Sequence, residues 1–338
     1  MKSVVLAVLV ALVIASASWA HASEVGHFSP GVASIRDYVV PPPGFYAILY
    51  NYMYMSDQIN DKNGDKIEQV TIGVPPLSTN LNVDVDLDMH VTTLGLMWSF
   101  KQKILGATCG AYVMFPFANT SIGASLTTVT GSGRSFETSQ FNFADMFVQP
   151  IWLGWKKPNW DIALGYGVYA PTGKYNTEEI VIPIVGEITA EASDNIGLGF
   201  WTNQIQGACS YYPWPDRRMA VAGALTYEIH GKKEDFDLTP GQNLTLNWGV
   251  SQYLPLTADN KCILEFGPAG YDSWQITDDS GDAARNVSVH DGVHGVGVQI
   301  GTMYMPWRTT LNFRYLYEYA ATDRFKGQSV GLNLGVAF

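Results

Sequence analysis

Four residues of one short stretch carry the densest potential chemistry in the chain. Asp84, Asp86, Asp88 and His90 are separated from one another by Val85, Leu87 and Met89. Side chains two apart share a face of an extended strand, so the carboxylates form a row spaced ~7 Å at a rise of ~3.3 Å per residue. Such a row attracts cations and repels anions. Other groupings spell known patterns in the wrong setting. Gly327-Gln328-Ser329-Val330-Gly331 has the order of a nucleophile elbow, but it opens an extended run where that chemistry needs a sharp strand-to-helix turn. Gly165-Tyr166-Gly167-Val168-Tyr169-Ala170 spells a dinucleotide fingerprint with no helix to follow. His290 and His294 have the spacing of metal ligands on a helix, yet Gly292 breaks an extended segment between them, so loop or lumen histidines are expected. Asp61-Lys62-Asn63-Gly64-Asp65 starts like a calcium loop but has Lys66 where that loop has glycine and lacks its final glutamate. It is read as an acidic turn, as is Asp278 to Asp282. No catalytic, cofactor-binding or metal-ligating set emerges, and a non-enzyme without cofactor is expected.

The elements that must position these residues are strands. From Thr309 to Tyr319, Leu311, Phe313, Tyr315, Tyr317 and Tyr319 alternate with more polar positions, including Asn312, Arg314 and Glu318. The pattern resumes from Val330 to Phe338. Period-two alternation gives each strand one apolar and one polar face, and a last strand ending in Phe is typical of outer-membrane barrels. Strands are expected near 44–56, 83–99, 105–117, 140–155, 159–171, 198–212, 217–230, 243–254, 262–274, 293–304, 308–319 and 328–338. Their connections alternate short and long, which matches periplasmic turns facing extracellular loops and puts both termini on the periplasmic side. The fold class is therefore all-β: a transmembrane antiparallel up-and-down β-barrel of about twelve strands, with long extracellular loops and short periplasmic turns.

Three segments follow. Residues 1–22 read as a signal peptide, with a basic start, an apolar core over Val4 to Ile14 and an Ala20-His21-Ala22 cleavage site. Residues 23–43 hold Pro30, Gly31 and the run Pro41-Pro42-Pro43. They read as a stiff N-terminal segment, either periplasmic or inserted into the lumen. Residues 44–338 form the barrel. Hydrophobic residues at 47% suit a barrel in which only alternate side chains meet lipid. A formal charge of −11 without a Lys/Arg cluster argues against nucleic acid as a partner. Cys109, Cys209 and Cys262, odd in number and inside strands, read as small hydrophobes. Trp98, Trp152, Trp155, Trp160, Trp201, Trp248 and Trp307 fall near strand ends, as interface anchors do.

Carboxylates on a lipid face are costly, so the acidic row is assigned to the lumen. The lumen and transport-path candidates are Asp84, Asp86, Asp88, His90, Asp145, Glu228, His230, Asn247, Glu265, Asn312, Arg314 and Glu318. Phe338 is the candidate assembly signal. Twelve strands lie between the filled bore of eight and the open channel of sixteen, so a narrow conduit is expected.

Three stretches resemble one family. Asp145-Met146-Phe147-Val148-Gln149-Pro150-Ile151-Trp152-Leu153-Gly154-Trp155 leads to Tyr169-Ala170-Pro171-Thr172-Gly173-Lys174-Tyr175. Gly267 to Asp279 contains Tyr271-Asp272-Ser273-Trp274-Gln275-Ile276-Thr277. Leu311 to Tyr319 is followed by Asp323-Arg324-Phe325-Lys326-Gly327. The chain thus resembles the family catalogued as "putative MetA-pathway of phenol degradation", often called outer-membrane transporter-like proteins. The resemblance implies a barrel of the bacterial outer membrane linked to aromatic catabolism, and it brings no catalytic site. The expected function is passive uptake of small, hydrophobic or aromatic, phenol-like molecules. A structural or adhesive barrel whose loops bind external partners is the alternative, and an outer-membrane enzyme the third class. Expected partners are outer-membrane lipids, the barrel-assembly machinery and the small solutes themselves.

Overall fold

The computed structural model describes residues 25–72, 79–128, 133–182, 186–192, 195–284 and 287–338. The expected leader, residues 1–22, lies outside the described residues. Among the described residues the strands are β1 (Gly44–Ser56), β2 (Gln69–Ile72), β3 (Thr79–Ile104), β4 (Ala107–Thr128), β5 (Gly133–Phe143), β6 (Met146–Lys156), β7 (Trp160–Ala170) and β8 (Thr177–Ile182). They continue with β9 (Gly186–Glu191), β10 (Thr202–Tyr211), β11 (Met219–His230), β12 (Asn243–Pro255), β13 (Cys262–Gln275), β14 (Gly292–Tyr304), β15 (Thr309–Thr322) and β16 (Gln328–Ala337). β1, β3, β4, β6, β7 and β10 to β16 make a closed antiparallel ring of twelve, with β1 paired to both β3 and β16. Closure removes every free edge from the hydrocarbon layer, which is how strands cross a bilayer. The barrel belongs in the bacterial outer membrane.

β7 shows how sequence dictates the wall. Trp160, Ile162, Leu164 and Tyr166 point out and are exposed, while Asp161, Ala163, Gly165 and Gly167 alternate with them and are buried inside. β12 follows the same rule, with Thr245, Asn247 and Ser251 inside and Leu244, Leu246 and Val250 outside. The short turns use positive φ. Leu105 (φ 51°) and Gly106 (φ 76°) join Ile104 to Ala107 in a two-residue hairpin of the type whose twist matches its strands.

β3 and β4 depart from the expected lengths. They run 26 and 22 residues, against ~9–11 for a spanning strand. Their upper parts project beyond the ring and pair with β2 and β5. β5 and β6 follow one another along β4 and are separated by Ala144-Asp145. A register shift between Val148 and Ile151, at Pro150, flips the parity of β6, so Trp152 is buried in the lumen instead of anchoring the interface. Trp98, Trp160, Trp201 and Trp307 are exposed on the outside.

Residues 25–43 thread the lumen. Val25 to Phe28 lie at the extracellular end, beside Asp145, Thr202 and Glu228, and Pro41 reaches Ser99 at the periplasmic end before β1 begins. The short and long connections put Gly44 and Phe338 together on the periplasmic side, but Val25 is at the opposite mouth. The stiff lead, residues 25–43, runs up the bore between these two ends.

Candidate functional site

The N-terminal segment is held by one side of the barrel. Glu228 accepts the Phe28 N–H at 2.9 Å, Asn247 the Gly31 N–H at 2.8 Å and Gln299 the Ile35 N–H at 3.1 Å. Asn333 donates to the Val32 carbonyl, and Arg314 to the Gly31 carbonyl and to Gln299. These groups come from β11, β12, β14, β15 and β16. These strands carry polar residues among their inward positions, so this side of the wall presents side-chain donors and acceptors at the heights where an extended segment exposes its own. Arg36 closes the periplasmic end, donating to Ser251 Oγ and to the carbonyls of Arg217 and Arg218.

Two apolar anchors complete the seat. Ile35 joins a buried apolar cluster with Tyr271, Leu316, Ala222, Ala269 and Val293. Val40, only 1% exposed, packs with Tyr38, Met97, Trp152 and Ala163. Gly154 makes room for it, since a Cβ there would come 2.6 Å from that of Val40. Gly31, at φ 76°, turns the segment against Leu316 where a side chain would be strained.

Between the segment and the opposite wall lies a cavity of about 450 Å³. β1 contributes Tyr50, Tyr52 and Tyr54; β3 contributes Leu87, Met89 and Val91; β4 contributes Tyr112 and Met114; and Phe147, Trp152 and Tyr169 complete the wall. Among its polar groups, the Tyr38 hydroxyl and Gln204 Oε1 have no hydrogen-bond partner among the described residues, and others are engaged. Glu318 accepts from Tyr54, Tyr271 and the Gly327 N–H, and Arg324 at the outer rim donates to Asp291. Burial pushes the Asp291 carboxyl above its usual value, with Arg324 opposing. A pocket of this size lined by apolar and aromatic groups is of ligand-binding dimensions, ~300–1,000 Å³.

The acidic row faces the other way. Asp84, Asp86, Asp88 and His90 are exposed on the outer face, and Leu87, Met89 and Val91 turn into the lumen. Leu94 and Trp98 set the phase: they face outward, and every even position above them follows. This part of β3 pairs with the stretch of β4 that runs on to pair with β5, beyond the stretch paired with β6. Of the other candidates, Asp145, Glu228, His230, Asn247, Glu265, Arg314 and Glu318 are buried, and Asn312 shares their inward parity on a half-buried site. Asp145 sits at the break between β5 and β6, where it accepts the Gly173 and Leu198 N–H groups and meets His27 Nε2 at 3.0 Å. Glu265 accepts from Ser251, 3.6 Å from Arg36. Phe338 ends the ring, its N–H on the Phe45 carbonyl and its ring 5.6 Å from that of Phe45.

The family model described as "Putative MetA-pathway of phenol degradation" matches residues 56–334. The chain belongs to this family. No curated protein matches it in sequence. The COG4313 outer membrane channel from Pseudomonas putida F1 superposes with a TM-score of 0.60 at 16% identity, covering 92% of this chain and 100% of that one. The β domain of the Bordetella autotransporter BrkA gives 0.46 at 11% identity, covering 87% and 99%. A Pseudomonas aeruginosa FadL homologue gives 0.34 at 10%, covering 95% and 96%. The first of these likenesses shows a shared barrel fold.

Several site residues of this family member had no sequence signal of their own. His27, Arg36 and Asp37 acquire roles only once residues 25–43 are inside the barrel, and Gln299 is one polar residue among many inward ones. The Leu87-Met89-Val91 stripe was visible as a pattern, and only its direction was misread. Cys109, Cys209 and Cys262 are free thiols. Asp61 is occupied within its own turn, accepting the Asn63 and Asp65 N–H groups, and His290 and His294 each meet an aspartate, Asp278 and Asp272, at 2.7 Å.

Proposed function

We propose that this barrel is a passive conduit of the outer membrane for small, uncharged, largely apolar molecules, phenol-like aromatics foremost. The observation that carries the reading is the division of the lumen. Polar side chains on β11 to β16 are engaged in holding residues 25–43, and the remaining space runs along the apolar faces of β1, β3, β4 and β6. A solute entering that space exchanges water for aromatic and aliphatic contacts worth roughly 25 cal/mol per Å² of apolar surface buried. Ions gain nothing comparable and lose their hydration. A phenolic hydroxyl, with a pKa of ~10, is neutral at working pH and suffers no such penalty. The family description, phenol degradation, agrees with this chemistry.

The alternative of an adhesive barrel draws support from the projecting part of β3 and β4, which offers external partners an acidic outer face. The two readings separate in cells. Initial uptake of radiolabelled phenol at micromolar concentration is compared with and without the barrel, in the presence of an uncoupler. Faster, uncoupler-insensitive entry with the barrel supports the conduit. Equal rates, with the barrel folded in the outer membrane, overturn it.

A further inference from the structure

The start of the N-terminal segment meets the barrel at a cluster that no transport step uses. Glu228 and His230, two apart on β11, both point inward, and His27 reaches them from the segment. One ligand atom from each of the three lies within 4.8 Å of the others. His27 Nε2 is 3.0 Å from Asp145 Oδ2 and carries the proton of that contact. His27 Nδ1 and His230 Nδ1 each lie 2.8 Å from Thr202 Oγ, a hydroxyl whose single proton serves only one of the two rings. His230 Nε2, on a residue 7% exposed, has no hydrogen-bond partner among the described residues. A buried ring nitrogen in that condition is costly unless something binds it.

We propose that His27, Glu228 and His230 form a binding site for a divalent cation of the zinc class, which ties the start of the segment to the barrel wall. Two imidazoles and a carboxylate are a known zinc donor set with the fourth position open to water, and imidazole disfavours calcium and magnesium. Asp145 occupies the place of the outer carboxylate that orients a ligating histidine, leaving His27 Nδ1 for the metal. Thr202 keeps its bond to His230. Ligand atoms around a tetrahedral ion at ~2.0–2.1 Å stand roughly 3.3 Å apart, so the three groups need to close by up to ~1.5 Å. His27 belongs to the segment and not to a strand, so it can make that movement. Glu228 Oε1 keeps the Phe28 N–H, and the carboxylate, which also accepts the His27 backbone N–H, has lone pairs left for the ion. Entry is through the cavity, which His27 and Asp145 line.

The test uses the full-length barrel in detergent, stripped with EDTA and desalted, titrated with zinc chloride by calorimetry in the presence of excess magnesium. The expected result is one zinc per barrel, with affinity reduced at least tenfold in both His27→Gln and His230→Gln and unchanged in His90→Gln, whose imidazole lies on the outer face. Heat-modifiable migration verifies that each variant is folded, and the His27 change leaves the strand pairing of the ring intact because His27 lies in the N-terminal segment, outside every strand. A wild-type barrel that binds no zinc overturns the proposal, as does stoichiometric binding that survives both lumen substitutions.

Discussion

Arg36 stacks on Tyr253, its guanidinium carbon 3.6 Å from the ring centroid, at the end of the lumen opposite His27. With its bonds to Ser251, Arg217 and Arg218, this contact fixes the periplasmic end of the N-terminal segment. Arg36→Met retains length and loses the charge, leaving the buried Glu265 without its cationic neighbour. The cost to docking is about 2–4 kcal/mol. Single-channel recordings should show wild type with low ionic conductance and the variant with several-fold higher, noisier conductance. Equal conductance would mean that the segment is held without Arg36.

Asp37 gives the docked segment a pH dependence. Burial raises its carboxyl above the ordinary value of 3.8, against the Ser34 N–H and Arg314, which lower it. Between the unfolded and the higher folded value the native state binds more protons. Stability therefore falls as pH rises through that window and stays level above it. Asp37→Asn should be more resistant to heat than wild type at neutral pH, and the two should converge on the acid side. Thermal unfolding followed across a pH series measures this, and parallel curves would assign the effect elsewhere.

Replacing Asp84, Asp86 and Asp88 together with Asn should leave the ion selectivity of the barrel unchanged, since all three side chains are outside the lumen. The reversal potential under a salt gradient is the measurement. A shift toward lower cation preference would place them along the path of ions after all.

The contrast between β3 and the other strands shows what the sequence could reveal. Alternation identified the strands because each wall residue chooses between lipid and lumen, and only one assignment keeps Asp161 of β7, or Thr245, Asn247 and Ser251 of β12, out of lipid. Asp84 to His90 offered the same alternation, but the argument from lipid cost fails above the membrane, where both faces are tolerable. The phase had to be counted upward from Trp98. Trp152 was misplaced because the bulge at Pro150 inserts one residue and reverses parity, an event no alternation count detects. The roles of His27 and Arg36 depend on partners 118 or more residues away, beyond any local pattern.

Phe338 closes the ring through its N–H to the Phe45 carbonyl at 2.9 Å, yet its side chain is 67% exposed. That exposure is like that of the other outward rings, Trp98 and Trp307, so removing the side chain costs the folded barrel little packing. Deleting Phe338 should lower the heat-modifiable, folded fraction in outer membranes severalfold, while barrel that does fold keeps wild-type thermal stability to within about 1 kcal/mol. Unchanged folded yield would make it an ordinary strand residue.

Met89 and Asp88 are chain neighbours on opposite faces of β3, which allows the transport path to be tested at one height of the wall. Met89→Trp fills the cavity, and Asp88→Trp adds the same bulk outside. Initial uptake of radiolabelled phenol in cells with matched amounts of folded barrel is the deciding measurement. The predicted result is that Met89→Trp removes most of the uptake the barrel confers and Asp88→Trp keeps it. Wild-type uptake through Met89→Trp would contradict passage along the apolar wall.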